Sequence, residues 1–349
     1  MTGLDSLPHT DPSVILRYRD GLYAVDLLTA AIVEFEFFQW LGEHPSTLQQ
    51  ICDHFGWAPR PADVLVTLGK ANQLVQEDEN NVCSLSETGR EHLCHDTPWD
   101  LSHYFESLKD RPVVADFVKV LNTGKPAQWS GHQDADADWH GAMQNENFAV
   151  AFTEAMDCRG VFLGKKLADA AADLIGERET RVLDIGGGSG VYSCALAANF
   201  PDLKSTVFEV DPVDEIARRK IEERHLSDRV AVATGDMFAD PWPGGCRVHL
   251  FSNVMHDWDV PEILALMKKS RESIGGQNEG LLLIHETFLN ADKTGPLPVA
   301  EYSCILAHST QGKCYSVTEM ADYLDQSGFE MLRFQETGGD RGLIVGRPV

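Results

Sequence analysis

A glycine-rich turn is the first place where residue types and spacing suggest chemistry. Val182-Leu183-Asp184-Ile185 reads as a strand and runs directly into Gly186-Gly187-Gly188-Ser189-Gly190, followed by a helix at 191–199. Glycines let a backbone approach a ligand closely and adopt positive φ, and the helix start beyond them offers unpaired N–H groups. An ordinary strand-to-helix turn rarely needs four glycines in five residues with an acid just ahead, so the loop implies a nucleotide-like ligand. A nicotinamide dinucleotide is disfavoured, because the fingerprint G-x-G-x-x-G, counted from Gly186 and Gly188, would need a third glycine where Val191 stands. The pattern present is D-x-G-x-G-x-G, carried by Asp184, Gly186, Gly188 and Gly190.

A histidine is the second feature. His256, in Ser252-Asn253-Val254-Met255-His256-Asp257-Trp258, follows another apolar strand at the edge where α/β sheets bind ligands. An imidazole, ordinarily near pKa ~6.5, can accept a proton at neutral pH. For the other histidines a structural role is the simpler reading, and His285 and Asp257 are read as structural neighbours. Upstream, Phe148, Phe152 and Met156 recur every four residues, so one helical face is apolar, and core packing is the default explanation.

From Thr180 onward the sequence supplies a scaffold for these groups. Strand candidates at 181–185, 205–210, 229–233, 247–252, 280–286, 331–337 and 343–346 alternate with helices, the signature of an α/β, doubly wound, Rossmann-like sheet of seven strands. The N-terminal part differs. Residues 21–41 are apolar on nearly every side, which predicts one helix in need of a partner surface. Ser46 and Gln49 fit a capping box for the helix carrying Leu48, Ile51, Cys52 and Phe55, and a second helix follows from Pro61. Segments 74–76 and 82–85 then flank a polar turn at Asn80-Asn81 as a hairpin. Helix, helix, hairpin is a winged-helix pattern. The expected division is 1–105 as a mainly helical, winged-helix-like association domain and 106–349 as the ligand-binding domain. Within the latter, 106–178 is a helical lead-in and 179–349 the Rossmann-like core. The polar stretch 124–138, with Trp129 and a DADAD run, reads as a solvated loop.

Composition narrows the partners. Lys and Arg number 29 against 54 Asp and Glu, a net charge of -25, which repels nucleic acid and anionic membranes. Residues 1–100 hold 5 Lys or Arg against 16 Asp or Glu, so the winged-helix pattern lacks the basic face of a DNA reader and is read as a packing and association module. Eight scattered cysteines form no C-x-x-C pair, and no metal-ligand set converges; free thiols in a reducing cytoplasm are expected. No stretch has the length and apolarity of a membrane span, and the start has no signal-peptide character.

The glycine loop resembles that of class I S-adenosylmethionine-dependent methyltransferases. That resemblance implies Glu209, ending Val207-Phe208-Glu209-Val210, for the ribose hydroxyls. Asp236 would take the adenine amine, and Met237 or Phe238 would cover the ring. The segment His256-Asp257-Trp258-Asp259 is similar to H-D-W-[SD] of the small-molecule O-methyltransferases typified by the caffeic acid and acetylserotonin enzymes. The likeness covers nearly the whole chain, because that family also has an N-terminal winged-helix dimerisation domain. It implies S-adenosyl-L-methionine as cofactor, a homodimer, His256 as general base and Glu286 as the acid that orients it. It further implies that Phe152 and Met156 grip the methionine end of the cofactor and the acceptor ring. Two positions depart from the pattern: Ser252 stands where plant members have a lysine, leaving a hydrogen bond to the cofactor in place of a charge, and Cys314 stands near the family's second acid. The expected reaction is methyl transfer to a hydroxyl of a small aromatic or polyketide-like acceptor. Cys314 leaves C-methylation and non-methylating cofactor-assisted chemistry open.

Overall fold

The computed structural model describes residues 3–127, 142–143, 145–175, 180–274 and 280–349. The reading of Trp129 and the DADAD run as a solvated loop lies outside them. The chain divides into two units, one of Val14–Asp138 with Leu289–Ser316, the other of Met1–Ser13, Trp139–Phe288 and Val317–Val349. A single cut at 105 is therefore corrected.

In the first unit, Leu48–Phe55 and Pro59–Ala71 are helices, and strands β1 (Ser46–Thr47), β2 (Val75–Glu77) and β3 (Val82–Leu85) form an antiparallel sheet in the order β1-β3-β2. The first of these helices is capped by Thr47 and Gln50, one residue later than expected. Ser46 is instead paired with Cys83 in the sheet, and its hydroxyl donates to the His44 carbonyl (2.8 Å). Residues 21–41 do not make one helix. Helix Ala24–Thr29 passes into a wider turn at Ala30–Glu34, Glu36 takes φ 48°, and a separate helix runs Phe37–Glu43. That break folds Leu27, Ile32, Phe37, Phe38 and Leu41 into the unit's own core, so the expected unpartnered helix is corrected. Segment 289–316 joins this unit through helix Leu297–Ser309, which buries Val299, Cys304 and Leu306, and through Lys293 and Lys313, which grip Asp63 at 3.1 and 2.6 Å. Burial works against the Asp63 carboxylate, but the two lysines more than offset it and hold its pKa below the ordinary value.

The second unit carries all seven strands expected from the sequence: β4 (Thr180–Ile185), β5 (Leu203–Glu209), β6 (Val230–Thr234), β7 (Val248–Ser252), β8 (Leu281–Glu286), β9 (Phe329–Gly338) and β10 (Arg341–Pro348). Their order is β6-β5-β4-β7-β8-β10-β9, parallel except at β10, which runs antiparallel to β8 and β9. The chain order reverses between β4 and β7, and at such a switch point the carboxyl ends of the strands open a ligand crevice. Strands β7 and β8 are buried along their whole length, which explains their near-continuous apolar sequences. The long helix Glu146–Ala170 lies against Val191–Asn199. Glycines permit that approach, since a Cβ at Gly164 would stand 2.8 Å from the Ala195 methyl and one at Gly160 would collide with Val191.

Candidate active site

Five strand ends, those of β4 to β8, deliver most of the residues singled out by the sequence to one edge of the sheet. After β4, Gly186, Gly188 and Gly190 adopt φ of 66°, 56° and 74°, a region closed to most side chains. A Cβ at Gly188 would meet nothing within 4 Å, so the loop faces open space there. Asp184 does not share that exposure. It is fully buried beneath the loop, where its Oδ2 accepts from Ser193 Oγ at 2.6 Å and burial pushes its carboxyl up to about 6. A Cβ at Gly187 would stand 2.7 Å from that carboxyl group, so Asp184 shapes the loop from below and does not face a ligand itself.

Glu209, at the end of β5, is partly exposed and tied to the loop, accepting from Gly188 N–H at 3.0 Å and from Val210 N–H at 2.9 Å. Burial raises its carboxyl to about 7 against the pull of those donors, with Asp184 and Asp214 adding repulsion. After β6, Asp236 turns one oxygen, Oδ1, toward the N–H groups of Phe238 (2.7 Å) and Ala239 (3.1 Å), which fixes the turn bearing Met237 and Phe238. Lys269 secures the same turn from a neighbouring helix, donating to the carbonyls of Met237 (2.9 Å), Phe238 (2.9 Å) and Asp240 (2.7 Å). Trp242 Nε1 donates to the Met237 carbonyl as well (2.9 Å), and Trp258 packs edge-on against the Phe238 ring at 4.6 Å. Lys269 and Trp242 carry no motif, and nothing in the sequence marked them.

A histidine–carboxylate pair is assembled at the ends of β7 and β8. A single turn, Met255–Asp257, presents His256, whose Nδ1 contacts Glu286 Oε2. The other oxygen of Glu286, Oε1, accepts from the N–H groups of Val254 (2.7 Å) and Met255 (2.9 Å). Both side chains are nearly inaccessible. Burial lowers the pKa of His256, but Glu286 and Asp257 outweigh burial and hold it above the ordinary imidazole value. Because Glu286 is an acceptor, the His256 proton belongs on Nδ1, leaving Nε2 as the basic nitrogen. Asp257 Oδ1 lies 3.7 Å from that Nε2, and burial pushes its carboxyl up to about 6; it stands closer to the chemistry than a structural neighbour would. His285 matches its expected structural role, bonded to Ser252 Oγ (3.0 Å) and Thr337 Oγ1 (3.2 Å) and driven down to about 3, mainly by burial. Ser252 is therefore engaged in a buried polar network instead of standing open to a ligand.

On helix Glu146–Ala170 the buried positions are Ala149, Thr153, Asp157, Gly160 and Gly164. Phe148, Phe152 and Met156 lie one position off that face and are only half-buried, and the two phenyl rings stack at 6.0 Å. Phe152 and Met156 are thus neither part of the fully buried face nor fully exposed. Arg159, on the same helix, adds positive charge near His256, Asp257 and Glu286. Cys314 belongs to the other unit, where it is fully buried in the apolar core.

A switch-point glycine loop beside a carboxylate-clamped histidine defines an α/β transferase with a nucleoside-type cofactor. The O-methyltransferase domain family matches residues 121–330, and the chain belongs to that family. The 3-hydroxy-5-methyl-1-naphthoate 3-O-methyltransferase of Streptomyces sahachiroi is 26% identical over 340 residues, which cover 96% of this chain and 95% of that enzyme. Among solved structures, an O-methyltransferase family 2 protein from Planctomyces limnophilus in complex with apigenin aligns with a TM-score of 0.87 and 27% identity over 99% of this chain and 98% of that one. Human N-acetylserotonin methyltransferase in complex with S-adenosylmethionine shares the fold, with a TM-score of 0.60 and 20% identity over 96% of both chains. The protein is accordingly an S-adenosylmethionine-dependent O-methyltransferase. Its strand ends fit the cofactor: a loop lacking Cβ atoms faces open space at Gly188, and the partly exposed Glu209 carboxylate is suited to a cis-diol.

Proposed function

We propose that this enzyme methylates a hydroxyl, phenolic in character, on a small aromatic or polyketide-like acceptor, with His256 as general base. The observation that carries the base assignment is the clamp on Glu286: two backbone N–H groups hold Oε1, and Oε2 holds His256 Nδ1. That arrangement fixes the imidazole ring and its tautomer, and it stabilises the imidazolium formed when Nε2 takes the acceptor proton. S-adenosylmethionine, when bound, supplies an electrophilic sulfonium methyl group. Gly186, Gly188 and Gly190 would lie along it, Glu209 would accept from its ribose hydroxyls, and Asp236, Met237 and Phe238 would hold its adenine. Phe152 and Met156 would bound the acceptor ring. The naphthoate and apigenin named for two of the relatives are both aromatic, which supports that acceptor class.

The reading includes a homodimer formed through a winged-helix N-terminal unit. Support comes from Val14, Ile15 and Tyr18, exposed at 60%, 70% and 84%, with Leu22 and Val25 continuing the apolar surface. A net charge of -25 supports a partner list without nucleic acid or membrane, and eight free thiols support a cytoplasmic setting. No helix among the described residues is long and apolar enough to cross a membrane. His256→Ala tests the base: turnover with a phenolic acceptor should fall by roughly 10²–10⁴ with cofactor affinity nearly unchanged. Wild-type turnover in that variant would overturn the assignment.

A further inference from the structure

We propose that Asn253 is the positioning residue that aims the His256 turn at Glu286, by holding a left-handed backbone bend with its side-chain amide. The inference rests on His256 being the base. Asn253 directly follows β7, two residues before the turn begins at Met255, and its φ of 56° lies in a region that favours glycine, with asparagine the most tolerant of the larger residues. The bend sends the next two N–H groups, those of Val254 and Met255, to Glu286 Oε1 at 2.7 and 2.9 Å. An extended residue at 253 would carry both away from that oxygen, and the carboxylate would lose the anchor from which Oε2 reaches His256.

Contacts from three other elements hold the bend, and Nδ2 also reaches the neighbouring Ser252 Oγ at 3.4 Å. Asn253 Nδ2 donates to the Tyr192 hydroxyl at 2.8 Å, on the helix that opens from the glycine loop. Its Oδ1 accepts from Arg341 Nε at 3.2 Å, on β10. Its backbone N–H donates to the His285 carbonyl at 3.0 Å, on β8 next to Glu286. Both ends of the amide are thus used, so leucine would lose both contacts, whereas aspartate would keep them only with the Tyr192 hydroxyl donating instead of accepting and would add a negative charge. Through Tyr192, the turn carrying the base shares a support with the helix that receives the cofactor. The charged groups around His256 are Glu286 on β8, Asp257 on its own turn and Arg159 on the long helix, and Asn253 adds no charge to them.

Asn253→Gly separates the two functions of the residue, since glycine keeps the left-handed backbone and removes the amide. With a phenolic acceptor, kcat should fall about 10- to 100-fold, the effect of loosening a catalytic group by a fraction of an ångström to an ångström. The dissociation constant for S-adenosylhomocysteine, measured by calorimetry, should change less than about threefold, because the glycine loop itself is intact. The acid limb of the kcat/KM profile should move to lower pH as His256 loses contact with Glu286. The same direction should appear in the His256 imidazole resonance, followed by NMR titration without cofactor and assigned by its absence in His256→Ala. Tyr192→Phe should show a smaller loss of kcat in the same direction and be non-additive with Asn253→Gly, and it carries the test if the glycine variant does not fold. Unchanged kcat and an unmoved acid limb in these variants, while His256→Ala is impaired, would overturn the inference. Full activity of His256→Ala would instead overturn the base assignment, which separates the two failures.

Discussion

Glu286→Gln is the most informative single change, because the structure dictates which way the new amide must point. Oε1 already accepts two backbone N–H groups, from Val254 at 2.7 Å and Met255 at 2.9 Å. A glutamine keeps those bonds only by placing its carbonyl oxygen there, so its NH2 takes the position of Oε2, against His256 Nδ1. The imidazole must then accept at Nδ1, which moves its proton to Nε2 and removes the basic nitrogen from the side where the acceptor is deprotonated. Restoring the productive tautomer sets N–H against N–H in a buried site, costing about 1–3 kcal/mol, and the lost charge-assisted bond to the imidazolium costs about 1.5–3 kcal/mol. The sum, roughly 2.5–6 kcal/mol, corresponds to about two to four decades in kcat at ~1.36 kcal/mol each. The assay is single-turnover methyl transfer to a phenolic acceptor, with circular dichroism to confirm folding and S-adenosylhomocysteine calorimetry to confirm an intact cofactor site. Activity within about threefold of wild type would refute the tautomer argument, since a mere orienting acid could be replaced by an amide of the same shape.

Three other outcomes follow from the geometry. Glu209, raised to about 7, is protonated below that pH, and a protonated carboxyl accepts less well from a diol. S-adenosylhomocysteine affinity should therefore drop as pH falls through about 7, by at most tenfold per unit, and calorimetry on Glu209→Gln should show that slope removed. Gly160→Ala forces a methyl into Val191 where two helices meet, so thermal unfolding should show a loss of about 1–3 kcal/mol. Ile15→Glu with Tyr18→Glu should shift sedimentation from dimer to monomer at micromolar concentration, and a monomeric wild type would remove the exposed stripe at 14–25 as a dimer contact.

Local pattern was enough to read the sheet and the loop. Strands buried on both faces have near-continuous apolar sequences, and a loop that must adopt positive φ next to a ligand needs glycine, so 181–190 declared its structure and chemistry together. His256 was legible for a related reason, since a short motif at a strand's carboxyl end is a local feature. Several roles were not local. Residues 21–41 looked like one greasy helix because composition says nothing of where a chain turns, and only packing showed the break at Glu36 that tucks Phe37 and Phe38 inward. Phe152 and Met156 matched an apolar helical face, yet the fully buried positions, Ala149, Thr153 and Asp157, lie one residue further on. Asp184, the acid of the loop motif, is fully buried, which its letter in the motif did not reveal. Lys269, Asn253 and Arg341 lie tens of residues from the groups they hold, and hydrogen bonds at that separation leave no periodicity in the chain. The sequence by itself determined the succession of strands along the chain and the glycine loop between the first two strands of the large sheet. Tertiary structure decided which polar atoms meet, because those meetings depend on the reversal of strand order between β4 and β7 and on the bend at Asn253.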